Sequence, residues 1–231
     1  MPIAGLHYLV LVSLVLACQR HREQPVPAGG AASVNTPELP VGTSAAAETL
    51  LVDVQSLDST IKVDARYAGT NNFTGAPLPG YEAPRVLLRR EAALALVRVQ
   101  ARLGSEGLGL VVFDGYRPVR ATLAMVNWAE QSGRRDLLND GYIARRSRHN
   151  LGLAVDLTLI DRSSGTLLDM GTLYDTFSEA AHTANARGRV LRYRQILVQA
   201  MESEGFSNYE KEWWHFSYQL PDAMPFDRVI R

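Results

Sequence analysis

The chain has 231 residues, of which 46% are hydrophobic and 21% are charged. This length and composition allow one sizeable hydrophobic core, so we expect a single folded domain. The 24 basic and 24 acidic side chains cancel, whereas nucleic-acid binding depends largely on neutralising phosphates. The charge balance therefore argues against a nucleic-acid partner.

The N-terminal segment is almost entirely apolar from residue 3 to residue 17. It is shorter than the roughly 20 residues that cross a bilayer about 30 Å thick, and we predict a secretion signal over residues 1–18. The segment ends in Val-Leu-Ala-Cys18, which resembles a bacterial lipoprotein cleavage box with Cys18 as the lipidated residue. A plain signal peptide with an incidental cysteine, or an uncleaved N-terminal anchor, would also account for this segment. Each of these forms predicts an exported protein, periplasmic or membrane-tethered, with membrane contact only through this N-terminus.

Residues 19–48 are rich in Pro, Gly, Ala, Ser and Thr and contain few large apolar side chains. Such a composition buries too little surface to offset its ordering entropy, which predicts a flexible tether. The folded domain is then expected over residues 49–231. Cys18 is the only cysteine, so an internal disulfide is excluded.

Within that domain, strand and helix patterns mix irregularly. Alternating and buried apolar patterns predict strands, period-3.6 patterns predict helices, and Asn, Gly and Pro predict a turn-rich loop. In chain order we expect strands at 51–54 and 60–63, a loop at 71–80, a helix at 89–103, a strand at 108–113, a helix at 121–131, a strand at 154–160, a helix at 191–204 and a strand-like segment at 212–218. Because no strand–helix unit repeats, the pattern predicts an α+β domain.

Three histidines follow the predicted tether: His149, His182 and His215. His149 opens His-Asn-Leu-Gly-Leu-Ala-Val-Asp156, in which a glycine allows a sharp bend before the strand that carries Asp156. His215 closes Glu-Trp-Trp-His. Two imidazoles and one carboxylate, with a fourth position open to water, form a catalytic zinc set, whereas structural zinc sites are closed by four protein ligands. We therefore predict one Zn²⁺ per chain held by His149, Asp156 and His215.

Glu212 lies three residues before His215. A carboxylate beside such a metal can remove a proton from the attacking water and later deliver it to the leaving amine. On a regular helix Glu212 and His215 would share a face, whereas a strand would need a local twist or bulge to bring both to one metal. The sequence leaves both conformations open.

A loop with the sequence Phe-Asp114-Gly-Tyr-Arg117-Pro follows the buried strand at 108–113. An arginine at a strand end beside a zinc site can stabilise the oxyanion of a tetrahedral intermediate. Arg117 is the candidate for this role. The alternative is a structural arginine that pairs with Asp114.

These motifs together resemble the D-alanyl-D-alanine dipeptidases. The resemblance rests on residues 147–159 (Ser-Arg-His-Asn-Leu-Gly-Leu-Ala-Val-Asp-Leu-Thr-Leu), on Asp-Gly-Tyr-Arg-Pro at 114–118 and on Glu-Trp-Trp-His-Phe at 212–216. Residues 67–75 and 170–175 also resemble segments of that family. Its members are zinc enzymes related to the vancomycin-resistance dipeptidase, within the wider group of D-Ala-D-Ala metallopeptidases. The resemblance implies a hedgehog-like α+β domain with a central, mostly antiparallel sheet flanked by helices.

The resemblance also implies roles for individual residues. Zinc ligation would fall to His149, Asp156 and His215, base catalysis to Glu212, and transition-state stabilisation to Arg117. Ser147 and Asp175 would hold the free ammonium of the substrate, and Tyr67 would line the pocket. An anionic partner for a desolvated ammonium is physically required, although Asp175 could instead cap a helix before Ser178. His182 has no counterpart and is expected to be structural or exposed.

The leading functional hypothesis is zinc-dependent hydrolysis of free D-Ala-D-Ala, a small D,D-dipeptide. A D,D-carboxypeptidase or endopeptidase that trims peptidoglycan stems is the alternative within the same chemistry, and it would need an open cleft. A noncatalytic, zinc-stabilised module that binds cell wall is the alternative outside it. Such a module would have no need of Glu212.

Overall fold

The structure is a computed structural model that describes Met1 and residues 41–231. Residues 41–231 belong to one compact unit. The rest of the predicted signal, Cys18 and the predicted tether as far as residue 40 lie outside the described residues. No helix in the described part of the chain has both the length and the hydropathy of a membrane-spanning segment.

Helices and strands follow one another along the chain without a repeating order. The helices are α1 Ser44–Leu50, α2 Val54–Leu57, α3 Arg90–Gly104, α4 Val119–Gln131, α5 Asp136–Asn139 and α6 Gly188–Glu202. The strands are β1 Leu51–Asp53, β2 Lys62–Val63, β3 Leu87–Arg89, β4 Leu108–Asp114, β5 Ala154–Asp161, β6 Phe206–Asn208 and β7 His215–Tyr218. Single 3-10 turns cover Arg66–Ala68, Arg148–Leu151 and Glu179–Ala181.

The main sheet has five strands in the order β2-β4-β5-β7-β6. Only β2 and β4 run parallel, and the other pairs are antiparallel. Strands β1 and β3 form a separate antiparallel pair. This architecture confirms the predicted α+β class with a mostly antiparallel sheet.

The main core forms where helices α3 and α6 pack on each other and on the central strands β4 and β5. Strands β4 and β5 are buried over almost their whole length, which matches their nearly continuous apolar sequences. Helix α3 packs on β4 and on α6, and it buries Ala92, Leu96, Val99 and Leu103, which are spaced to share one helix face. A second apolar cluster includes Met125, Val126 and Ala129 of α4. The two clusters leave the ends of β4, β5 and β7 free to carry polar groups.

The structure corrects two sequence-based boundaries and adds two strands that were not predicted. The predicted tether extends too far, because α1 begins at Ser44, Thr43 caps it through a hydrogen bond from the Ala46 amide, and Ala47 is buried. The segment predicted as strand-like from residue 212 is a turn as far as Trp214, and only His215–Tyr218 is a strand. The three-residue strands β3, which pairs with β1, and β6, which pairs with β7, were not predicted, since three residues carry too little periodicity to identify a strand.

Candidate active site

Three adjacent strands place acidic and imidazole side chains in one row across the sheet. Asp156 of β5 is the direct partner of His215 of β7 and of Asp114 of β4. The pairing of β4 with β5 shifts between Val112 and Asp114, and such a bulge re-aims the side chains that follow it. The row therefore brings Asp114, Asp156 and His215 together near one end of the three strands.

Three potential metal-ligand atoms, from His149, Asp156 and His215, converge at this end of the strands. His215 Nδ1 lies 2.9 Å from Asp156 Oδ1, His149 Nε2 lies 3.2 Å from His215 Nδ1, and His149 Nε2 lies 3.4 Å from Asp156 Oδ1. Tetrahedral ligands with bonds of about 2.0–2.1 Å are separated by about 3.3 Å. The three atoms therefore match three corners of one tetrahedron, and they can hold a single metal ion.

The orientation of His149 is fixed by its 3-10 turn and by a backbone carbonyl. Ser147 caps the turn by accepting from the His149 amide, and Gly152 ends it in the left-handed conformation with φ of 68°. His149 Nδ1 lies 2.7 Å from the carbonyl oxygen of Gly115. Because a carbonyl only accepts, Nδ1 carries the proton and Nε2 offers its lone pair to the metal, the usual arrangement of a metal-binding histidine.

The electrostatics of the ligands favour the protonation states that bind metal. Burial raises the pKa of Asp156, but the imidazoles of His149 and His215 outweigh burial, and the net effect lowers this pKa. Burial lowers the pKa of His215. An ionised carboxylate and a neutral imidazole are the forms that coordinate zinc.

Glu212 reaches the same site from a turn. The Glu212 amide donates to the Tyr209 carbonyl and the His215 amide donates to the Glu212 carbonyl, so the segment is neither a regular helix nor a regular strand. Trp213 and Trp214, both buried, anchor it. Glu212 Oε2 lies 3.8 Å from His215 Nδ1. Burial, followed by the charges of Asp156 and Asp175, raises the pKa of Glu212 well above its usual value.

Arg117 is buried beside the ligands. Its guanidinium donates two hydrogen bonds to Asp114, lies 3.8 Å from Asp156 Oδ2 and sits over the ring of Tyr67. Burial opposes the charge of Arg117, but the Asp114 carboxylate and the neighbouring tyrosines together outweigh burial, and the pKa of the guanidinium is raised. The structural pairing with Asp114 and a position facing the site therefore occur together.

Asp175 and Tyr67 form the opposite end of the site. Asp175 has a left-handed backbone with φ of 61°, and its carboxylate accepts from the Tyr67 hydroxyl at 3.0 Å. The alternative role of Asp175 as a helix cap is wrong, because Ser178 occupies the N-cap of the following 3-10 turn. Burial is the main cause that raises the pKa of Asp175 to about 8, followed by the charge of Asp156.

The side chains predicted for the site line one cavity of about 360 Å³. This volume is at the small end of the range for small-molecule sites. The eight residues predicted for the site all border it: Tyr67, Arg117, Ser147, His149, Asp156, Asp175, Glu212 and His215. Apolar side chains that were not predicted complete the wall, among them Phe73, Met125, Phe177 and Trp214.

Comparisons with known proteins agree with this site. A family model described as D-Ala-D-Ala dipeptidase matches residues 47–230. The chain belongs to the D-Ala-D-Ala dipeptidase family. The D-alanyl-D-alanine dipeptidase of Enterococcus faecalis is 37% identical over 171 residues, which cover 68% of this chain and 85% of that protein. The D-alanyl-D-alanine dipeptidase of Escherichia coli is 32% identical over 180 residues, covering 77% of this chain and 88% of that protein.

Solved structures are more distant from this member of the dipeptidase family. A vancomycin-resistance D,D-dipeptidase in complex with a D-Ala-D-Ala phosphinate analogue has a TM-score of 0.38 and 18% sequence identity, and the match covers 73% of this chain and 66% of that one. Membership of the dipeptidase family therefore rests on the sequence matches, and it confirms the resemblance that the motifs predicted.

Two functional groups of this dipeptidase-family chain were not predicted from its sequence. The carbonyl of Gly115 orients His149, and the hydroxyl of Tyr174 donates to Asp156. Tyr174 stands beside Asp175 in the segment 170–175, which was the one available signal. His182 has no place among the ligands; it is half-buried, and its Nε2 lies 3.0 Å from the Tyr142 hydroxyl.

Proposed function

We propose that this chain hydrolyses D-Ala-D-Ala to two D-alanines with one bound Zn²⁺. The observation that carries the proposal is the meeting of His149 Nε2, Asp156 Oδ1 and His215 Nδ1 within 3.4 Å of one another, beside Glu212 and in a small cavity. Two imidazoles and a carboxylate are a donor set suited to zinc. A zinc ion bound there would supply Lewis acidity toward a water and the scissile carbonyl.

The side chains of the cavity divide the remaining work. Glu212 accepts a proton from the attacking water and returns it to the leaving amine, a role that needs a carboxylate with a raised pKa. The Arg117 guanidinium donates toward the oxygen on which negative charge develops, where exclusion of water strengthens the interaction. Glu212 lies beside the ligand His215 and Arg117 beside the ligand Asp156, and these positions support the two roles.

The other end of the cavity recognises the substrate's ammonium. Asp175, held by Tyr67, is the anionic partner that a buried ammonium needs. Its pKa is raised in the metal-free chain, and the positive charges of the ammonium and of zinc would favour its ionised form. Ser147 borders the same cavity, although its hydroxyl already accepts from the His149 amide. A site that ends in a carboxylate favours a free amino group over an acylated one, and this distinguishes a dipeptidase from a carboxypeptidase.

The test is hydrolysis of free D-Ala-D-Ala, N-acetyl-D-Ala-D-Ala and a stem pentapeptide by the full-length chain. We expect cleavage of the free dipeptide alone, loss of activity with chelator and recovery with zinc. Glu212→Gln should bind about one zinc per chain without turnover. Preferred cleavage of the pentapeptide would replace the proposal with a carboxypeptidase or endopeptidase, and zinc binding without any cleavage would replace it with a binding module.

We also propose that the protein is exported and carries a lipid on Cys18. The apolar segment at residues 3–17 followed by Val-Leu-Ala-Cys supports this proposal. An exported enzyme of this kind would meet peptidoglycan and its fragments.

A further inference from the structure

The two carboxylate oxygens of Asp156 have different neighbours. Oδ1 faces the imidazoles, at 2.9 Å from His215 Nδ1 and 3.4 Å from His149 Nε2. Oδ2 accepts from the Tyr174 hydroxyl at 2.9 Å. A carboxylate can rotate about its bond to Cβ, and a hydrogen bond on one oxygen fixes which oxygen is presented to a metal.

The Tyr174 hydroxyl also lies 3.0 Å from the Tyr67 hydroxyl, and Tyr67 donates to Asp175. Tyr174 has one proton and two acceptors within reach. A carboxylate is the stronger acceptor because hydrogen bonds to ionised groups are stronger than neutral ones, so Tyr174 donates to Asp156. Because each hydroxyl then gives its single proton to a carboxylate, no hydrogen lies between the two hydroxyl oxygens, and no chain of hydrogen bonds joins Asp156 to Asp175.

The ring of Tyr174 is held independently of the hydrogen bond that its hydroxyl makes. It packs against Phe113 with ring centroids 4.8 Å apart and against the edge of Trp214 at 5.4 Å. Because both contacts involve the ring alone, removal of the hydroxyl leaves them in place. The hydroxyl can therefore be tested without disturbing the packing.

We propose that Tyr174 is a positioning residue that fixes the metal-facing oxygen of Asp156. The inference rests on the proposed function for the identity of the metal. Tyr174 acts on the substrate only through Asp156, which separates its role from those of Glu212 and Arg117.

The first test compares Tyr174→Phe with Tyr67→Phe by zinc titration against a competing chelator. We expect Tyr174→Phe to weaken zinc binding about 10–100-fold, the usual effect of losing a partner of a metal ligand, with little change in the unfolding temperature of the metal-free protein. Tyr67→Phe touches no ligand and should leave the zinc dissociation constant within about twofold of the original chain. A Tyr174→Phe dissociation constant within that range, or an equal loss in both variants, would overturn the proposal.

The second test measures kinetics at saturating zinc. Tyr67→Phe should raise KM, because Asp175 loses its donor, whereas Tyr174→Phe should lower kcat, because Asp156 turns. The zinc titration needs no substrate, so an original chain that binds zinc but leaves D-Ala-D-Ala intact would refute the proposed function and still test Tyr174.

Discussion

Arg117 donates to a single oxygen of Asp114, from Nε at 3.0 Å and from Nη2 at 2.8 Å. The other oxygen of Asp114 accepts from the Tyr81 hydroxyl at 2.6 Å. Asp114 is almost fully buried, so both partners are needed to satisfy its charge. The carboxylate therefore acts as a fixed support that holds the guanidinium toward the metal ligands.

Replacement of Arg117 by glutamine should lower kcat about 10²–10³-fold, the cost of removing a donor to a developing oxyanion. Zinc content should stay near one per chain, because Arg117 is not a ligand. The measurement is steady-state hydrolysis of D-Ala-D-Ala with metal analysis of the same sample. Tyr81→Phe is the matched control, since it removes a different hydrogen bond from Asp114 and should change kcat far less. Equal losses in both variants would show that Arg117 serves only to neutralise Asp114.

Zinc should stabilise the fold as well as complete the site. The site region contains four buried or half-buried carboxyl groups and a single guanidinium, that of Arg117; the carboxyl groups belong to Asp114, Asp156, Asp175 and Glu212. A bound cation would offset the repulsion between these carboxylates. At a zinc concentration 100 times the dissociation constant, the stabilisation is about 2.7 kcal/mol. Thermal unfolding with zinc and with chelator measures it. His215→Ala should lose most of the zinc-dependent shift, whereas Glu212→Gln should keep it; an unchanged shift in His215→Ala would place the metal elsewhere.

Asp175→Asn should exchange stability for activity. The pKa of Asp175 is raised to about 8, mainly by burial, against about 3.9 in an unfolded chain. Between these values the folded protein holds a proton that the unfolded chain has released, so rising pH weakens folding. Asparagine removes this loss. Its advantage over aspartate in the metal-free protein should therefore grow from about pH 4 to pH 8, toward a limit of about 5–6 kcal/mol set by the difference of about four between the two pKa values.

Denaturant unfolding of both metal-free proteins at pH 5 and pH 8.5 measures this difference. The same substitution should lower kcat/KM for D-Ala-D-Ala about 10–100-fold, because the substrate ammonium loses a charge-assisted hydrogen bond. A stability difference that does not vary with pH would show that Asp175 is ionised throughout this range. Unaltered kcat/KM would remove Asp175 from substrate recognition.

Replacement of Cys18 by serine should abolish metabolic labelling with a fatty acid in a bacterial expression host and release the protein from the membrane fraction. Lipid attachment requires the thiol, whereas the apolar segment before it would still direct export. Fractionation of cells that produce each form provides the measurement. Equal membrane association of the serine variant would indicate an uncleaved anchor, and a soluble original chain would indicate a plain signal peptide.

The sequence predicted the long elements and the ligand set because each left a local trace. Strand β4 is a nearly continuous apolar segment, β5 alternates, and α3 has a clear period of 3.6. His149 and Asp156 stand on the two sides of a bend at Gly152, so their approach follows from one turn of chain. The convergence of His215 with them depends on the pairing of β5 with β7; the donor types and the resemblance to a known family anticipated it, whereas no local pattern did.

Groups that act through the backbone or from a distant loop left no such trace. A carbonyl oxygen has no identity in sequence, so the role of Gly115 toward His149 required coordinates. Tyr174 comes from a loop without periodicity, and its hydroxyl meets Asp156 only after the sheet has formed. The conformation of Glu212 was also undecidable, because a turn closed by backbone hydrogen bonds to Tyr209 carries neither a helical nor a strand pattern.

Gly115→Ala tests the most specific of these backbone contributions. A Cβ atom at Gly115 would lie 2.6 Å from Val86 Cγ1 and 2.7 Å from the Leu87 carbonyl oxygen, distances that force the loop to move. The Gly115 carbonyl, which holds His149 Nδ1 at 2.7 Å, would move with it. Since outer partners of metal ligands contribute about 10–100-fold to affinity, zinc binding should weaken by that amount, and overpacking should cost about 1–3 kcal/mol of stability.

Gly69→Ala is the matched control, because a Cβ atom there meets nothing within 4 Å and the backbone is extended, with φ of −129°. Zinc titration and thermal unfolding of both variants, with and without metal, separate the two effects. Loss of stability in Gly115→Ala with zinc affinity equal to that of Gly69→Ala would mean that the carbonyl does not orient His149. Loss of both, confined to Gly115→Ala, would show that close packing of β3 against the loop after β4 sets the metal affinity of this site.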